Sequence, residues 1–126
     1  MKRSGESFFI NRLRSVKYAF KGAVLLIKTE GSIQIQSTIA VLVTLAGFFF
    51  DLSSYEWMAQ FLAMGLVLVA ESLNTAIEKL SDFIHPDYNE KIGIIKDVSA
   101  GAAFFSAVVA LIIGMLIYLP KIYALF

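Results

Sequence analysis

Three stretches of this sequence are long enough and apolar enough to cross a lipid bilayer as helices. They cover residues 33–50, 57–80 and 101–119, and only the second contains charged side chains. A hydrocarbon core of about 30 Å needs roughly 20 residues at a helical rise of about 1.5 Å. In a chain of 126 residues, 58% hydrophobic and 17% charged, the apolar surface exceeds what a soluble domain could bury. We therefore predict an all-α membrane protein with one membrane-embedded domain, residues 1–126.

A further helix is predicted ahead of the first span, over about residues 8–28. Apolar residues recur there at spacings of three and four, and Lys and Arg recur with the same period on another face. Seven basic residues precede Thr29. An amphipathic basic helix of this kind lies on an anionic membrane surface and does not cross the membrane. The predicted organisation is a surface helix followed by three spans.

The distribution of charge predicts the orientation in the membrane. Residues 51–56 contain two acidic and no basic side chains, whereas ten of the eleven Lys and Arg residues flank the opposite ends of the spans. Cytoplasmic segments carry the excess of Lys and Arg. The N-terminus and the polar segment 82–97 are therefore predicted to be cytoplasmic, and the C-terminus to lie outside. Within that segment we expect Pro86 to stop a helix and Gly93 to be a flexible point.

The composition excludes several kinds of chemistry. The chain has no Cys and a single His85, so it offers no thiolate nucleophile, no disulfide and no His cluster for a metal. Its net charge of +1 gives no field that would attract nucleic acid, and we predict no nucleic-acid partner. It contains no glycine-rich phosphate-binding loop and no other common kinase signature. Acid–base chemistry must therefore come from carboxylates.

The second span carries three polar side chains on one helical face, Glu71, Asn74 and Glu78, at positions i, i+3 and i+7. A charge at the bilayer centre costs at least ~2.5 to 3.5 kcal/mol, so such residues are normally functional. Glu71 follows Trp57 by fourteen residues, which is roughly 21 Å of helix, and Glu78 lies roughly 10 Å further. This depth predicts Glu71 just beneath the cytoplasmic interface and Glu78 at it. A lipid hydroxyl and a water-soluble phosphate donor would meet at this level.

These positions suggest roles in phosphoryl transfer. Glu71 is placed to take the proton of a lipid hydroxyl, and Glu78 and Glu30 to supply ligands for Mg²⁺, which prefers carboxylate oxygens. Phosphoryl transfer depends mainly on positioning and charge neutralisation. Lys96 adds a cation for phosphate oxygens, and Asp97 adds a further acid. Spacing and depth alone indicate carboxylate-dependent chemistry on a lipid and do not identify a kinase.

Two alternatives use the same polar face without lipid phosphorylation. Glu71 and Asn74 would form hydrogen bonds between helices in a non-catalytic membrane scaffold, or they would be part of an ion-conducting bundle. The second alternative is weakened because the other two spans carry no acid to continue a path. Helix packing is the expected role of the small residues Thr75, Gly65, Gly101 and Ala102.

The run Glu71-Ser-Leu-Asn-Thr-Ala-Ile-Glu78, followed by Ile95-Lys96-Asp97, resembles the signature of the prokaryotic diacylglycerol kinase family. The resemblance covers nearly the whole chain, including the segment Tyr18-Ala-Phe-Lys-Gly22. It implies a small homotrimer in a prokaryotic plasma membrane, with active sites shared between neighbouring subunits. It also implies that MgATP is the phosphoryl donor and is bound without a P-loop.

The resemblance also assigns roles to individual residues. Glu71 matches the catalytic base of the family, and Glu30 and Glu78 match its metal ligands. Asn74 would orient the transferring phosphoryl group or the metal shell. The residues expected around ATP are Tyr18, Glu30, Glu78, Asp87, Tyr88, Asn89, Lys96 and Asp97.

Two positions depart from the family pattern. Asn11 stands where the family often has an Arg, so Arg12 or Arg14 would contact the substrate together with Glu71 if that role is kept. Asn89 stands where some relatives have a His.

The family has two substrate branches. The resemblance implies phosphorylation of diacylglycerol to phosphatidic acid, with undecaprenol and its phosphate as the alternative. Pro86, Gln36 and the run Lys96-Asp97-Val-Ser-Ala-Gly101 resemble the undecaprenol branch. The expectation from the sequence places diacylglycerol first, undecaprenol second and the non-catalytic scaffold third.

Overall fold

The computed structural model describes Gly5 and residues 7–126. Regular secondary structure in this range is entirely α-helical, with α1 at Phe8–Thr29, α2 at Gly31–Phe49, α3 at Ser54–Ile84 and α4 at Glu90–Tyr123. The prediction of an all-α protein is confirmed. Three of the helices, α2, α3 and α4, are long and apolar enough to cross a membrane. The position of α1 on the membrane surface, the orientation of the termini and the trimer stay predictions.

The helices extend beyond the predicted spans because hydropathy detects only their apolar parts. The α4 helix begins at Glu90, well before residue 101, and runs unbroken through Gly93. The expectation that Gly93 is a flexible point is therefore wrong. Within the polar segment 82–97, only residues 85–89 lie outside the helices, and they connect α3 to α4. Pro86 acts as expected: α3 ends at Ile84, because a residue before proline is disfavoured in helical conformation.

Side-chain caps fix the starts of the two longest helices. The Ser53 hydroxyl accepts the backbone N–H of Glu56 at 3.2 Å, and the Glu56 carboxylate accepts the backbone N–H of Ser53 at 2.9 Å. This reciprocal pair is a capping box at the start of α3. The Asn89 amide oxygen accepts the N–H groups of Lys91 and Ile92 at 3.0 and 3.2 Å, and so caps α4.

The largest helix–helix interface joins α3 to α4, while α2 packs on α3 and α1 contacts α2. Two polar contacts fix the antiparallel register of α3 and α4. The Tyr118 hydroxyl contacts the Gln60 amide oxygen near the α2–α3 turn, and Lys96 pairs with Asp82 at the opposite end. Glu71 lies midway between these contacts, eleven residues from each along α3. We call the end with the α1–α2 junction and residues 85–89 the corner end, and the other the turn end.

The turn end is closed by an aromatic and polar cluster. Gly47 is buried, and a Cβ atom at this position would lie 2.6 Å from the ring of Trp57. Gln60, 4% exposed, donates its amide to the Val43 carbonyl at 3.1 Å, and the Tyr118 hydroxyl lies 3.0 Å from the same carbonyl. The three helices that are able to cross a membrane therefore meet at one backbone oxygen.

The packing roles of small residues were predicted only in part. Thr75 is buried on α3, as expected. A Cβ atom at Gly65 or Gly101 would meet no atom within 4 Å in the described part of the chain, so neither glycine permits a close approach there. The close approach occurs at Gly47, where the Trp57 ring lies against the backbone.

Candidate functional site

The α1–α2 corner presents Glu30 to the end of α3. Glu30 is in extended conformation, with φ −106° and ψ 114°, between two helices. The Gln34 side-chain amide, one turn into α2, donates to the carbonyls of Ile27 and Lys28 at 3.0 and 3.2 Å. These bonds satisfy carbonyls that a helix end leaves without partners. The corner is thus held at a fixed bend, with the Glu30 side chain only 23% exposed.

Lys79 connects this corner to α3. Its Nζ atom lies 3.1 Å from the Glu30 carboxylate. The contact brings Glu30 to the turn of α3 that carries Glu78, which is the neighbour of Lys79 in sequence. Glu78 itself is exposed. Sequence reasoning missed Lys79, although a cation directly after a predicted metal ligand was a visible signal.

Glu71 is half-buried in the middle of α3. It makes no hydrogen bond or ion pair with any residue that the structure describes. The helix α2 and the part of α4 between residues 98 and 119 contain no charged side chain. A carboxylate in an apolar span needs a proton, a cation or a hydrogen-bond donor as its partner. The described residues of one chain supply no such partner for Glu71.

Asn74, one helical turn beyond Glu71, has an unpartnered acceptor. Its Oδ1 atom is buried and makes no hydrogen bond within the described residues. Asn74 lines a groove of about 720 Å³ between α3 and α4, whose walls are otherwise almost entirely apolar, for example Leu73, Ile94 and Phe105. Leaving a buried acceptor without a donor costs ~1–3 kcal/mol. The groove therefore combines room for a hydrocarbon chain with an oxygen that requires a donor.

The corner end of α4 carries the predicted phosphate-binding residues. Lys96 is half-buried and forms an ion pair with Asp82 of α3, while Asp97 is exposed. The pair holds the ammonium group of Lys96 between the two helices. Asp82 was not singled out as a site residue from the sequence, and the structure shows its contact with Lys96.

The connection between α3 and α4 carries three predicted nucleotide-binding residues. Asp87 and Tyr88 are exposed, and Tyr88 is 90% exposed. The Asp87 carbonyl lies 2.9 Å from Nδ1 of His85, a contact that helps to shape the connection. The amide oxygen of Asn89 is already used as the cap of α4. The side chains of Asp87 and Tyr88 are thus more available to a ligand than the oxygen of Asn89.

The predicted site residues of α1 lie away from this corner within one chain. Tyr18 precedes Glu30 by twelve residues, which is roughly 18 Å of helix. Tyr18 and Arg14 line a shallow groove on α1. The Arg12 guanidinium lies over the Phe8 ring, 5.0 Å from its centre. The structure thus groups Glu30, Lys79 and the end of α3, and it leaves these three α1 residues apart from them.

The two predicted metal ligands at the corner, Glu30 and Glu78, provide only part of a metal coordination shell. The described part of the chain contains no group of three or more His, Cys, Asp or Glu side chains placed to hold a metal. Mg²⁺, however, is usually bound through one or two carboxylates, with substrate phosphates and water as its other ligands. Glu30 and Glu78 suit that mode because they come from the same end of the bundle and Glu30 already has a cation beside it.

Comparisons with known proteins agree with the resemblance. A family model described as prokaryotic diacylglycerol kinase matches residues 17–118. Undecaprenol kinase of Bacillus subtilis (strain 168) is 39% identical over 114 residues, which is 90% of this chain and 93% of that protein. Diacylglycerol kinase of Synechocystis sp. is 32% identical over 116 residues, covering 91% of this chain and 66% of that protein.

A further relative, diacylglycerol kinase of Escherichia coli (strain K12), is 25% identical over 104 residues, 82% of this chain and 85% of that protein. The match to the family extends from α1 to the last turns of α4, so it includes all three helices that are able to cross a membrane. The family membership expected from the motif is confirmed. The chain belongs to the prokaryotic diacylglycerol kinase family, a family of membrane lipid kinases.

Proposed function

We propose that this protein transfers the γ-phosphoryl group of MgATP to the hydroxyl of a membrane lipid alcohol. The observation that carries the proposal is the placement of Glu71. It is a carboxylate without a partner in the described chain, within an apolar span, about 16 Å along α3 from the ion pair of Asp82 and Lys96. A lipid hydroxyl brings a proton that Glu71 accepts, and a nucleotide reaches the polar corner end from water.

In this proposal the protein's residues act on the two substrates in distinct ways. Glu71 accepts the hydroxyl proton as the lipid oxygen bonds to the γ-phosphorus, and the bond from that phosphorus to the bridging oxygen breaks and releases ADP. Asn74 orients the reacting groups through its buried amide oxygen. Lys96, with Asp97 beside it, holds the ATP phosphates. Asp82 keeps the Lys96 ammonium in place between α3 and α4.

A divalent cation belongs to the same proposal. Glu30 and Glu78 would hold Mg²⁺, which neutralises charge on the phosphate oxygens. The nucleotide would lie against the residues assigned to it by the resemblance, Tyr18, Asp87, Tyr88 and Asn89. Arg12 or Arg14 would reach the substrate from α1.

For the lipid substrate we propose undecaprenol first and diacylglycerol second, the reverse of the order expected from the sequence. The change rests on the 39% identity to a protein named undecaprenol kinase, against 32% and 25% to proteins named diacylglycerol kinase. The apolar groove beside Asn74 accepts a hydrocarbon chain of either kind and does not separate them.

The experiment is a side-by-side assay of the purified protein with ATP and Mg²⁺ in one set of mixed micelles. Undecaprenol and diacylglycerol are supplied separately at equal mole fraction, and the lipid phosphate formed is measured. We expect faster phosphorylation of undecaprenol. A preference for diacylglycerol would restore the original order and leave the chemistry unchanged. Folded protein that phosphorylates no lipid alcohol would favour the scaffold alternative.

We also propose that the active unit is a homotrimer. Within the described residues, the predicted metal ligands at the corner are Glu30 and Glu78, and the predicted site residues of α1 lie apart from it. A neighbouring subunit would supply the missing wall around the nucleotide and the lipid headgroup.

A further inference from the structure

Lys79 is the one cation that contacts a predicted metal ligand in the described part of the chain. Its Nζ atom is 3.1 Å from the Glu30 carboxylate, which the α1–α2 corner holds in a fixed bend. The two partners differ in accessibility. The Lys79 side chain is 68% exposed, whereas that of Glu30 is 23% exposed.

This asymmetry decides which partner is able to leave. Glu30 is attached to the corner that Gln34 closes, so its carboxylate stays where it is. Lys79 has a flexible four-carbon stem and a strongly hydrated ammonium group, which water solvates readily when the contact breaks. Ion pairs with such an exposed partner are weak, since solvent screens them and the long side chain loses freedom in forming them.

A divalent cation at Glu30 would bind the carboxylate whose Oε1 atom Lys79 contacts. Two cationic groups at one carboxylate repel each other at short range. The ammonium must therefore move away from Glu30 when the metal arrives. In the meantime the lysine keeps the half-buried carboxylate paired.

We propose that Lys79 is an internal counter-ion for the metal site, which pairs with Glu30 until a divalent cation displaces it. The inference deepens the proposed function and rests on Glu30 as a metal ligand. Lys79 is a positioning residue and not a catalytic one. It sets the cation concentration at which the site fills, because every metal ion that binds has to break the Lys79–Glu30 ion pair.

The test is binding of Mn²⁺ to the full-length protein in micelles without nucleotide, so that water alone completes the metal shell, followed by the electron paramagnetic resonance signal of free Mn²⁺. We expect Lys79→Gln to bind Mn²⁺ about two- to fivefold more tightly than the unchanged protein, a factor that corresponds to ~0.4–1 kcal/mol. Lys79→Arg keeps the ion pair and should bind like the unchanged protein. The gain in Lys79→Gln should shrink in high salt, because salt screens exposed charges.

Lys91→Gln is the matched control. Lys91 is exposed in the first turn of α4 at the same end of the bundle, so its replacement removes the same charge without removing the ion pair. Equal tightening in Lys91→Gln and Lys79→Gln would overturn the inference, as would unchanged or weaker binding in Lys79→Gln.

A variant of Glu30 separates the two proposals. If Glu30→Gln weakens Mn²⁺ binding but Lys79→Gln does not change it, only the role of Lys79 fails. If Glu30→Gln leaves Mn²⁺ binding unchanged, Glu30 is not a ligand, and both this inference and the metal site of the proposed function fail.

Discussion

Glu71 is the residue whose replacement tests the chemistry most directly. Glu71→Gln keeps the size and hydrogen-bonding capacity of the side chain but cannot accept a proton. We expect kcat for lipid phosphorylation to fall by ~10² to 10⁴, the usual contribution of a positioned general base, with little change in the KM for MgATP. Asp51→Asn is the control, since Asp51 is an exposed acid at the turn end whose positive φ of 54° suits asparagine. Near-normal turnover of Glu71→Gln would contradict the assignment of the base.

The two predicted metal ligands should fail differently from Glu71. Glu78→Gln or Glu30→Gln removes negative charge from the cation site, so a higher Mg²⁺ concentration should recover part of the lost activity. The measurement is the rate of lipid phosphorylation against Mg²⁺ for the three variants under one condition. Recovery of Glu71→Gln to the same extent as Glu78→Gln would make Glu71 a ligand.

Asn74 is expected to lower the stability of the protein while serving its activity. Its buried Oδ1 has no partner within the residues that the structure describes, so Asn74→Leu removes an unsatisfied acceptor from an apolar groove. We expect the thermal midpoint in micelles to stay equal or rise, because the unsatisfied atom costs ~1–3 kcal/mol, while lipid kinase activity is lost. A strong drop in the midpoint would mean that a neighbouring subunit donates to this oxygen in the assembled protein.

At the scale of helices, Gly47 sets the distance between α2 and the Trp57 ring. A Cβ atom there would lie 2.6 Å from that ring, which stacks on Phe61 and contacts Phe48 and so has little room to move. Gly47→Ala should therefore destabilise the turn end by ~1–3 kcal/mol. The expected readout is a lower thermal midpoint in micelles.

Gly65→Ala is the matched control on α3. A Cβ atom at Gly65 meets nothing within 4 Å in the described chain, so we expect an unchanged or higher midpoint, since alanine favours helix by up to ~1 kcal/mol. Destabilisation by Gly65→Ala would reveal a close contact with another subunit at this face. Equal midpoints for Gly47→Ala and the unchanged protein would contradict the packing described for the turn end.

The existence of the helices was easier to predict from the sequence than their bounds. Apolar length identified the three spanning helices, because it depends only on local composition. The predicted third span begins at residue 101, whereas α4 begins at Glu90. Helical hydrogen bonds do not require apolar side chains, and the helix starts where Asn89 caps its first turn. Pro86 was interpreted correctly because its effect on the preceding residue is local.

One feature of the candidate site was predictable, the common helix of Glu71, Asn74 and Glu78, because helical periodicity is local. The roles of these residues stay predictions. The pairing of Glu30 with Lys79 and of Lys96 with Asp82 depends on how separate helices pack, which periodicity does not determine. Gly47 was not singled out from the sequence for the same reason, because it approaches a ring from another helix.

At the scale of the whole molecule, the proposed trimer predicts how inactive variants combine. If each site takes Glu71 from one chain and Glu30 from a neighbour, a mixture of Glu71→Gln and Glu30→Gln chains contains sites with both residues intact. At equal mixing about one quarter of the sites should be active, because each of the two required chains is drawn with a chance of about one half. If both residues act within one chain, no site in the mixture is intact.

A dilution series makes this prediction independent of how active each variant is. Unchanged chains are co-assembled with chains that carry both Glu30→Gln and Glu71→Gln, and lipid phosphorylation is measured against the fraction of unchanged chains. Shared sites need two unchanged chains, so activity should follow the square of that fraction. Sites within one chain need only one, and activity would then be proportional to the fraction. A straight line in oligomers shown to be mixed would overturn the sharing of Glu30 and Glu71 between two chains. Glu30 would then act in the chain that supplies Glu71, in the position where it contacts Lys79 of the same chain.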